Sequence, residues 1–567
     1  MDQFPTEILS QIFPELTFTA KVNFASTCKK WRDFIRDSTL YQDLTVDGTS
    51  HTSAFKNFFE DHPEYRDKVH SLHLSSTDIE ISAVLALPVL FPELKELVWD
   101  GEYKNGAKSD EEESDDSDDD DGFFVSRSPS GINFLEEYEK LVDAKIAESW
   151  NSITSFEEAD HYPLTATILE YGGFCNLINL DVDLDDDDHS GALLIKQLMK
   201  APKLKTLRLS HGKMSLQDFD ELCSNAQQLE TLQLSKIDIT GPNETSTVSA
   251  TFGNLERLQI DTCKGENTGK ILMRMSGKCP NLKSLKVYPE YGDRNWDDEG
   301  AHLATFVSGC PHLKCYDVDF FPVTPDILAA MNKNGIKLEA ITTEPEELPK
   351  QIKDLLASNQ KNFIDAITLN CSLLSSFTDT ERQELFNALQ GFPKLKCLAI
   401  KSNGKYDVAN IPINGFLQHC HNLETISLLN CKPELVSGAS DNFTTKLKHL
   451  ILENTASTIS INGKVTDFIS KTCPDLTMLD INFPYNTDNE IEFTNHKFTC
   501  IKLHCISYIC DKRQFYNVKN TQGTKVYRMN YGTLEEYTKP PWNRINVSLS
   551  YASCDKLKIE EAYVLDP

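Results

Sequence analysis

The chain has 567 residues, 40% of them apolar and 9% aromatic, which is enough material for a packed core along most of its length. Its formal charge is −30, and the run at 109–121 supplies only ten of those charges, so the acid excess is spread through the remainder. Nucleic acid and anionic membrane surfaces both call for clustered Lys and Arg, so the composition excludes them as expected partners and favours a protein.

From Phe4 to Leu44 apolar residues recur at helical spacing: Ile8, Leu9, Ile12, Phe13 and Leu16, then Val22 and Phe24, then Cys28, Trp31, Phe34 and Ile35. The spacing predicts a run of short helices. The first opens on Pro5, whose missing N–H would have no intrahelical partner there, with Glu7 at the positive end of the helix dipole. So small a unit buries little surface, and its apolar stripes face more than one side, so something else must cover them. The pattern Phe4-Pro5-x-Glu7-Ile8-Leu9-x-x-Ile12-Phe13-x-x-Leu16, followed by Cys28-Lys29-Lys30-Trp31, resembles the F-box. That family usually has Leu where this chain has Phe4 and Val where it has Thr27. The resemblance implies an F-box over 1–47 in which Phe4, Pro5, Ile8, Leu9, Ile12, Phe13, Leu16 and Trp31 serve adaptor binding, Trp31 by anchoring the helices. The implied partner is a Skp-type adaptor and, through it, a cullin ligase. The plainer reading is a helical cap on the segment that follows.

Residues 48–100 read as a linker and the first copies of a repeat, at Val69 and Leu94. Residues 101–131 carry the acidic run, which repels itself and has no apolar area to bury, so it is expected to be a disordered insertion. It is either a solvated loop or a tail phosphorylated at Ser114 and Ser117.

Over 132–495 the motif Leu-x-x-Leu-x-apolar recurs clearly, as in Leu204-Lys-Thr-Leu207-Arg-Leu209 and Leu229-Glu-Thr-Leu232-Gln-Leu234. From Leu177 to Leu476 successive copies start 24 to 31 positions apart, in or just beyond the range of leucine-rich repeats. Amphipathic stretches such as 191–199 lie between them. Each repeat is therefore expected to be strand, loop, helix, with the period-2 apolar residues facing one continuous core. Cysteines beside the strands, such as Cys279, Cys310, Cys431 and Cys473, resemble the cysteine-containing repeat subclass common in F-box proteins. They read as small buried thiols and not as metal ligands. Residues 496–567 read as a degenerate repeat and a C-terminal cap, on the weaker alternations Ile501-x-Leu503 and Ile545-x-Val547-x-Leu549. The fold class expected is α/β: a short N-terminal three-helix F-box, then a curved leucine-rich-repeat solenoid, or horseshoe, with a parallel sheet inside and helices outside.

No nucleotide loop, nucleophile elbow or zinc-binding helix motif occurs in the chain, so it reads as a non-enzyme with no cofactor and no metal. Without a signal peptide or an apolar run of about 18 residues it reads as a soluble cytoplasmic or nuclear protein. In a horseshoe the residues between the buried leucines line the concave sheet. The substrate-binding candidates are therefore Arg208, Gln233, Arg257, Gln259, Lys286, Tyr288 and Asp317, continued by Lys401, Ser427, Glu453 and Asp480. Arg208, Arg257 and Lys286 form a basic stripe suited to an acidic or phosphorylated segment, with Tyr288 and Trp296 as aromatic anchors. Solvated strand residues with no partner give the same pattern. The whole reads as a substrate receptor of an SCF-type ubiquitin ligase; the rival readings are an F-box scaffold without a ubiquitination role and a repeat-based inhibitor.

Overall fold

The computed structural model describes residues 26–27, 29, 41–47, 49–75, 81–100, 141–159, 164–184, 190–240, 250–261, 263, 265–288, 296–318, 323–343, 348–370, 378–402, 409–436, 443–453, 460–461, 463–484, 489–506, 514–530, 533–537, 547–559 and 562–564. The adaptor-binding candidates Phe4, Pro5, Ile8, Leu9, Ile12, Phe13, Leu16 and Trp31, and the acidic run at 109–121, lie outside the described residues. The chain divides into two compact units, the first running to Leu285 and the second holding Lys286–Tyr288, Trp296–Ser308 and the chain from Leu313. Among the described residues the strands form sheets of ten and thirteen members and a two-stranded ribbon.

In the first unit the motifs that begin at Val69, Leu94, Leu177, Leu204, Leu229 and Leu255 become strands β2 (Ser71–Ser75), β3 (Glu96–Asp100), β5 (Asn179–Asp183), β6 (Thr206–Ser215), β7 (Thr231–Thr240) and β8 (Arg257–Asp261), and the sheet also holds β1 (Asp43–Asp47) and β4 (Ser155–Ala159), which no motif read from the sequence marked. They pair in parallel and in chain order. Period-2 chemistry explains the layering: Leu204, Leu207 and Leu209 are fully buried, while Thr206, Arg208 and Ser210 between them stay at least partly open. The register is locked where each strand begins. The amides of Lys205 and Thr206 both donate to the Ile178 carbonyl, and those of Glu230 and Thr231 to the Lys205 carbonyl.

Helices connect the strands: α1 (Thr49–Asp61), α2 (Ile81–Leu90), α3 (Ala144–Ser149), α4 (Leu164–Glu170), α5 (Ser190–Gln197), α6 (Leu216–Asn225) and α7 (Gly265–Met275). The capping chemistry is explicit at α6, where Ser215 and Asp218 satisfy each other's backbone amides. Phe55 and Phe59 of α1 pack on Phe91 with ring centroids 5.7 and 5.0 Å apart. A second aromatic group lies farther along, where Trp150 packs edge-on against Phe156 and Phe174, 5.4 and 5.3 Å away.

Strands β6 and β7 run ten residues, beyond the repeat motif, because both turn a corner together. His211 and Lys236 each take a left-handed conformation, φ 51°, and pairing resumes past them from Gly212 with Ile237. Gly212 is needed there, since a Cβ would stand 2.4 Å from the Cβ of Leu184.

The second unit takes most of strand β9 (Ser284–Tyr288) and then continues through α8 (Trp296–Ser308), β10 (Cys315–Val318), α9 (Pro325–Asn334), β11 (Ala340–Thr343), α10 (Leu348–Ala357), β12 (Ala366–Asn370), α11 (Asp379–Leu389), β13 (Cys397–Lys401), β14 (Ala409–Pro412), α12 (Ile413–His419), β15 (Thr425–Leu429), β16 (Cys431–Glu434), β17 (His449–Glu453), β18 (Ser460–Ile461), α13 (Gly463–Thr472) and β19 (Met478–Pro484). Strands β11, β12, β13, β15, β17 and β19 pair in parallel, while β14 and β16 form the separate ribbon.

The last 79 residues depart from strand, loop, helix. They contain β20 (Asn489–Ile506), β21 (Gln514–Asn520), β22 (Gly523–Asn530), β23 (Thr533–Tyr537), β24 (Val547–Ile559) and β25 (Ala562–Val564). The 18-residue β20 runs parallel to both β19 and β24, and the β21–β22 hairpin joins the sheet on the far side of β24. Of the alternations read from the sequence, Ile501-x-Leu503 lies on β20 and Val547-x-Leu549 on the adjacent β24, while Ile545 lies outside the described residues.

Among the described residues the repeat cysteines are thiols outside any disulfide, packed beside the strands. Burial pushes Cys223, Cys310, Cys420 and Cys431 up to about 12, so they stay protonated and unreactive at neutral pH. Brief alkylation of the native protein is expected to reach Cys175, Cys315 and Cys397, which are exposed, before these four. Peptide mapping by mass spectrometry checks this; early labelling of Cys420 or Cys431 contradicts it.

Candidate interaction face of the sheets

Alternation leaves each sheet one face packed under helices and one open, and the parallel register stacks the open residues into ladders. In the first unit one ladder reads Val98, Glu157, Asp181, Arg208, Gln233, Gln259, and its neighbour ends Thr206, Thr231, Arg257. The structure thus brings Arg208, Gln233 and Gln259 into one row and places Arg257 in the next.

Arg208 does not present a free charge. Its guanidinium donates to Asp181 at 2.8 Å, with the two side chains 48% and 23% exposed. A pair so open to water contributes about 0.2–1 kcal/mol, but it cancels the positive charge on the face. Burial raises the Asp181 carboxyl to about 6; Arg208 opposes that shift, and Glu157 and Asp183 add to it. Asp183 in turn lies 3.0 Å from His211 Nδ1. Arg257 donates through Nε to the Thr231 hydroxyl at 2.9 Å. The region around β4 and β5 is therefore acidic, and the basic stripe read from the sequence is interrupted at its first member.

Lys286 and Tyr288 belong to the second unit, where the Tyr288 hydroxyl donates to Asp317 of β10. Trp296 opens α8, and its side chain is outside the described ones. Farther along, the open ladder reads Thr342, Thr368, Ala399, Ser427, Ile451, Asp480, Lys502, Lys558. Lys401 and Glu453 lie in the adjacent ladder, where Asn482 donates to Glu453 at 3.3 Å.

Asp480 is the polar centre of this second face. His449 Nε2 and Lys502 Nζ both approach its Oδ2 at 3.1 Å. Burial alone would raise the Asp480 carboxyl, but hydrogen bonding and charge from His449 and Lys502 outweigh it and hold the group below its usual range. Lys502, Lys556 and Lys558 are residues the sequence reading missed. The signal was local: Leu557-x-Ile559 alternates as Ile501-x-Leu503 does, so each lysine between those apolar residues faces out of the core.

Among the described residues no group of three His, Cys, Asp or Glu is placed to hold a metal ion, and no helix is long and apolar enough to cross a membrane. What the arrangement can do is present charged and neutral rows to another polypeptide.

Comparison with known proteins bears on the N-terminal segment. Residues 1–47 match the F-box-like family model. The F-box-like segment and the repeat solenoid therefore occur in one chain, in that order. No curated protein matches the sequence. Among solved structures 117 chains match, one of them described as the crystal structure of a TLR13–ssRNA13 complex. That chain shares 12% identity and a TM-score of 0.37, the match covering 77% of this chain and 60% of that one.

Proposed function

We propose that the chain is the substrate-recognition subunit of an SCF-type ubiquitin ligase. The F-box-like segment at 1–47 would dock on a Skp-type adaptor and through it a cullin, and the open sheet faces would hold a protein substrate near the activated ubiquitin. The carrying observation is the order of parts: an F-box-like segment followed by a solenoid whose sheets have an open face. Bond-making chemistry would be the partners' work, the chain itself being a non-enzyme that acts in the cytoplasm, the nucleus or both.

Affinity purification of the full chain beside a Leu9→Asp/Phe13→Asp variant tests this. The wild type is expected to retain the adaptor and cullin, and the variant to lose both. A charged group on an apolar docking stripe costs several kcal/mol when buried, so the loss should be near complete. Accelerated turnover of a protein retained by both forms distinguishes a receptor from a scaffold. If the wild type retains no adaptor, residues 1–47 serve only as a cap.

A further inference from the structure

We propose that a cavity at the β21–β22 turn binds a monocarboxylate carried on an apolar group the size of one amino-acid residue. The cavity measures about 270 Å³ and is lined at depth by Val518, Tyr527 and Tyr551, all buried. Its solvent side is formed by Gln522, Gly523 and Thr524, which are exposed, and by Lys525, which is half-buried.

Strand register makes this space. Tyr516, Val518 and Asn520 alternate onto one side of β21, and their direct partners on β22 are Tyr527, Lys525 and Gly523. At the third of these pairs the partner has no side chain. A Cβ on Gly523 would meet nothing within 4 Å, and the φ of 149° there is one that L side chains rarely adopt, so the backbone itself keeps the cavity open. The rim is fixed as well. Asn520 Oδ1 accepts from the amides of Gln522 and Gly523 at 2.9 and 3.1 Å, and the Thr521 hydroxyl and amide both donate to the Ala552 carbonyl of β24, at 3.0 and 3.3 Å. A ligand would meet a preformed site and lose little freedom of the protein in binding.

The lining selects the ligand. A valine and two phenol rings offer apolar surface, while amide, hydroxyl and ammonium groups offer donors, and among the described residues no carboxylate lines the cavity. Its one charged lining group is the Lys525 ammonium, which matches a single negative charge. Glu536 approaches that ammonium at 3.8 Å, longer than a hydrogen bond, and the two side chains are 38% and 58% exposed. So open a pair is weak, and a carboxylate held inside the cavity competes with it. A phosphate dianion would exceed the one cation, on a chain whose formal charge is already −30. The volume falls below the roughly 300–1,000 Å³ of sites for drug-sized molecules, which limits the apolar body to about one residue. The C-terminal end of a polypeptide and a free small acid both carry such a group. Neither requires the chain to act in a ubiquitin ligase.

Isothermal titration of the full chain tests this with N-acetyl-phenylalanine, its neutral amide, phenyl phosphate, and a Gly-Gly-Gly-Phe peptide whose C-terminus is free or amidated. The acid is expected to bind with a Kd on the order of 1 mM or tighter, and the neutral amide at least about tenfold more weakly. Lys525→Met is expected to bring acid and amide within about twofold, Lys525→Arg to hold acid binding within about threefold of wild type, and Glu536→Gln to tighten it by up to about fivefold. Thr524→Trp, a bulky group at the exposed rim, is expected to weaken acid and amide alike. Thermal unfolding beside wild type checks that each variant keeps its fold. Binding of the free-ended peptide as tight as that of the acid identifies the ligand as a polypeptide end, and binding of the acid without the peptide identifies it as a free small acid. No acid binding by wild type, equal binding of acid and amide, a preference for phenyl phosphate, a preference for the acid that survives Lys525→Met, or acid binding unchanged in Thr524→Trp overturns the proposal.

Discussion

Replacing Asp220 by alanine is expected to lower the stability of the first unit by about 3–5 kcal/mol, among the largest effects open to a single polar substitution here. Asp220 sits on α6 with its side chain 5% exposed, and accepts from Arg274 at 2.6 Å and Lys278 at 2.5 Å, themselves 11% and 12% exposed. Arg274 ends α7 and Lys278 follows it, so one carboxylate ties the helical layers of successive repeats together. Removing it takes away the carboxylate that both cations share, in a place water hardly reaches. The cost comes from burying that charge without its carboxylate and not from the attraction the pair supplied. The apolar triple variant Asp220→Leu/Arg274→Met/Lys278→Met is accordingly expected to stay within about 2 kcal/mol of wild type or exceed it. Urea unfolding of the three proteins measures both quantities. Equal losses in the single and triple variants would show that the shape of the triad, and not its charge balance, is what the fold requires.

The fold was legible because its signal is local and repeated. Leu204-x-x-Leu207-x-Leu209 states strand, inward face and register within six residues, and each further copy restates it. The corner at His211 and Lys236 was not, since left-handed backbone at a lysine has no propensity signature and a lone histidine gives only a weak one. The length of β20 was hidden for a different reason: its buried positions change phase at the irregularity between Phe493 and Lys497 and again between Phe498 and Ile501.

Charge on the open faces was less legible, because it is settled across repeats. Arg208 and Asp181 stand 27 positions apart in sequence and 2.8 Å apart in space. Along the margin of the sheets the same thing happens repeatedly: Lys205 with Glu230 at 2.7 Å, Lys283 with Glu256 at 2.5 Å, and Lys448 with Glu424 at 2.9 Å. A positive charge counted from the sequence is therefore an upper bound on what the surface offers.

The second large effect is one of pH, at Glu158. Its carboxyl lies at the end of β4, 1% exposed, and accepts from the amides of Leu164 and Thr165, both 3.1 Å away, and from the Thr165 hydroxyl. Burial pushes it from its ordinary 4.5 up to about 7, against the pull of those donors. Below pH 4.5 the folded and unfolded chains both hold the proton, so this group adds no pH dependence. Between 4.5 and 7 the unfolded chain releases it while the folded chain keeps it, so stability falls as pH rises, by about 3 kcal/mol in all. Above 7 both forms are ionised and the loss is constant. In the protonated form the carboxyl can donate to Thr165 Oγ while its other oxygen still accepts from the start of α4, which is why the site tolerates the proton. The difference in unfolding free energy between wild type and Glu158→Gln, which cannot titrate there, is therefore expected to move against wild type across that window. Should the difference instead move in favour of wild type as pH rises, the three donors would outweigh desolvation, and Glu158 would serve as an ionised cap for the first turn of α4.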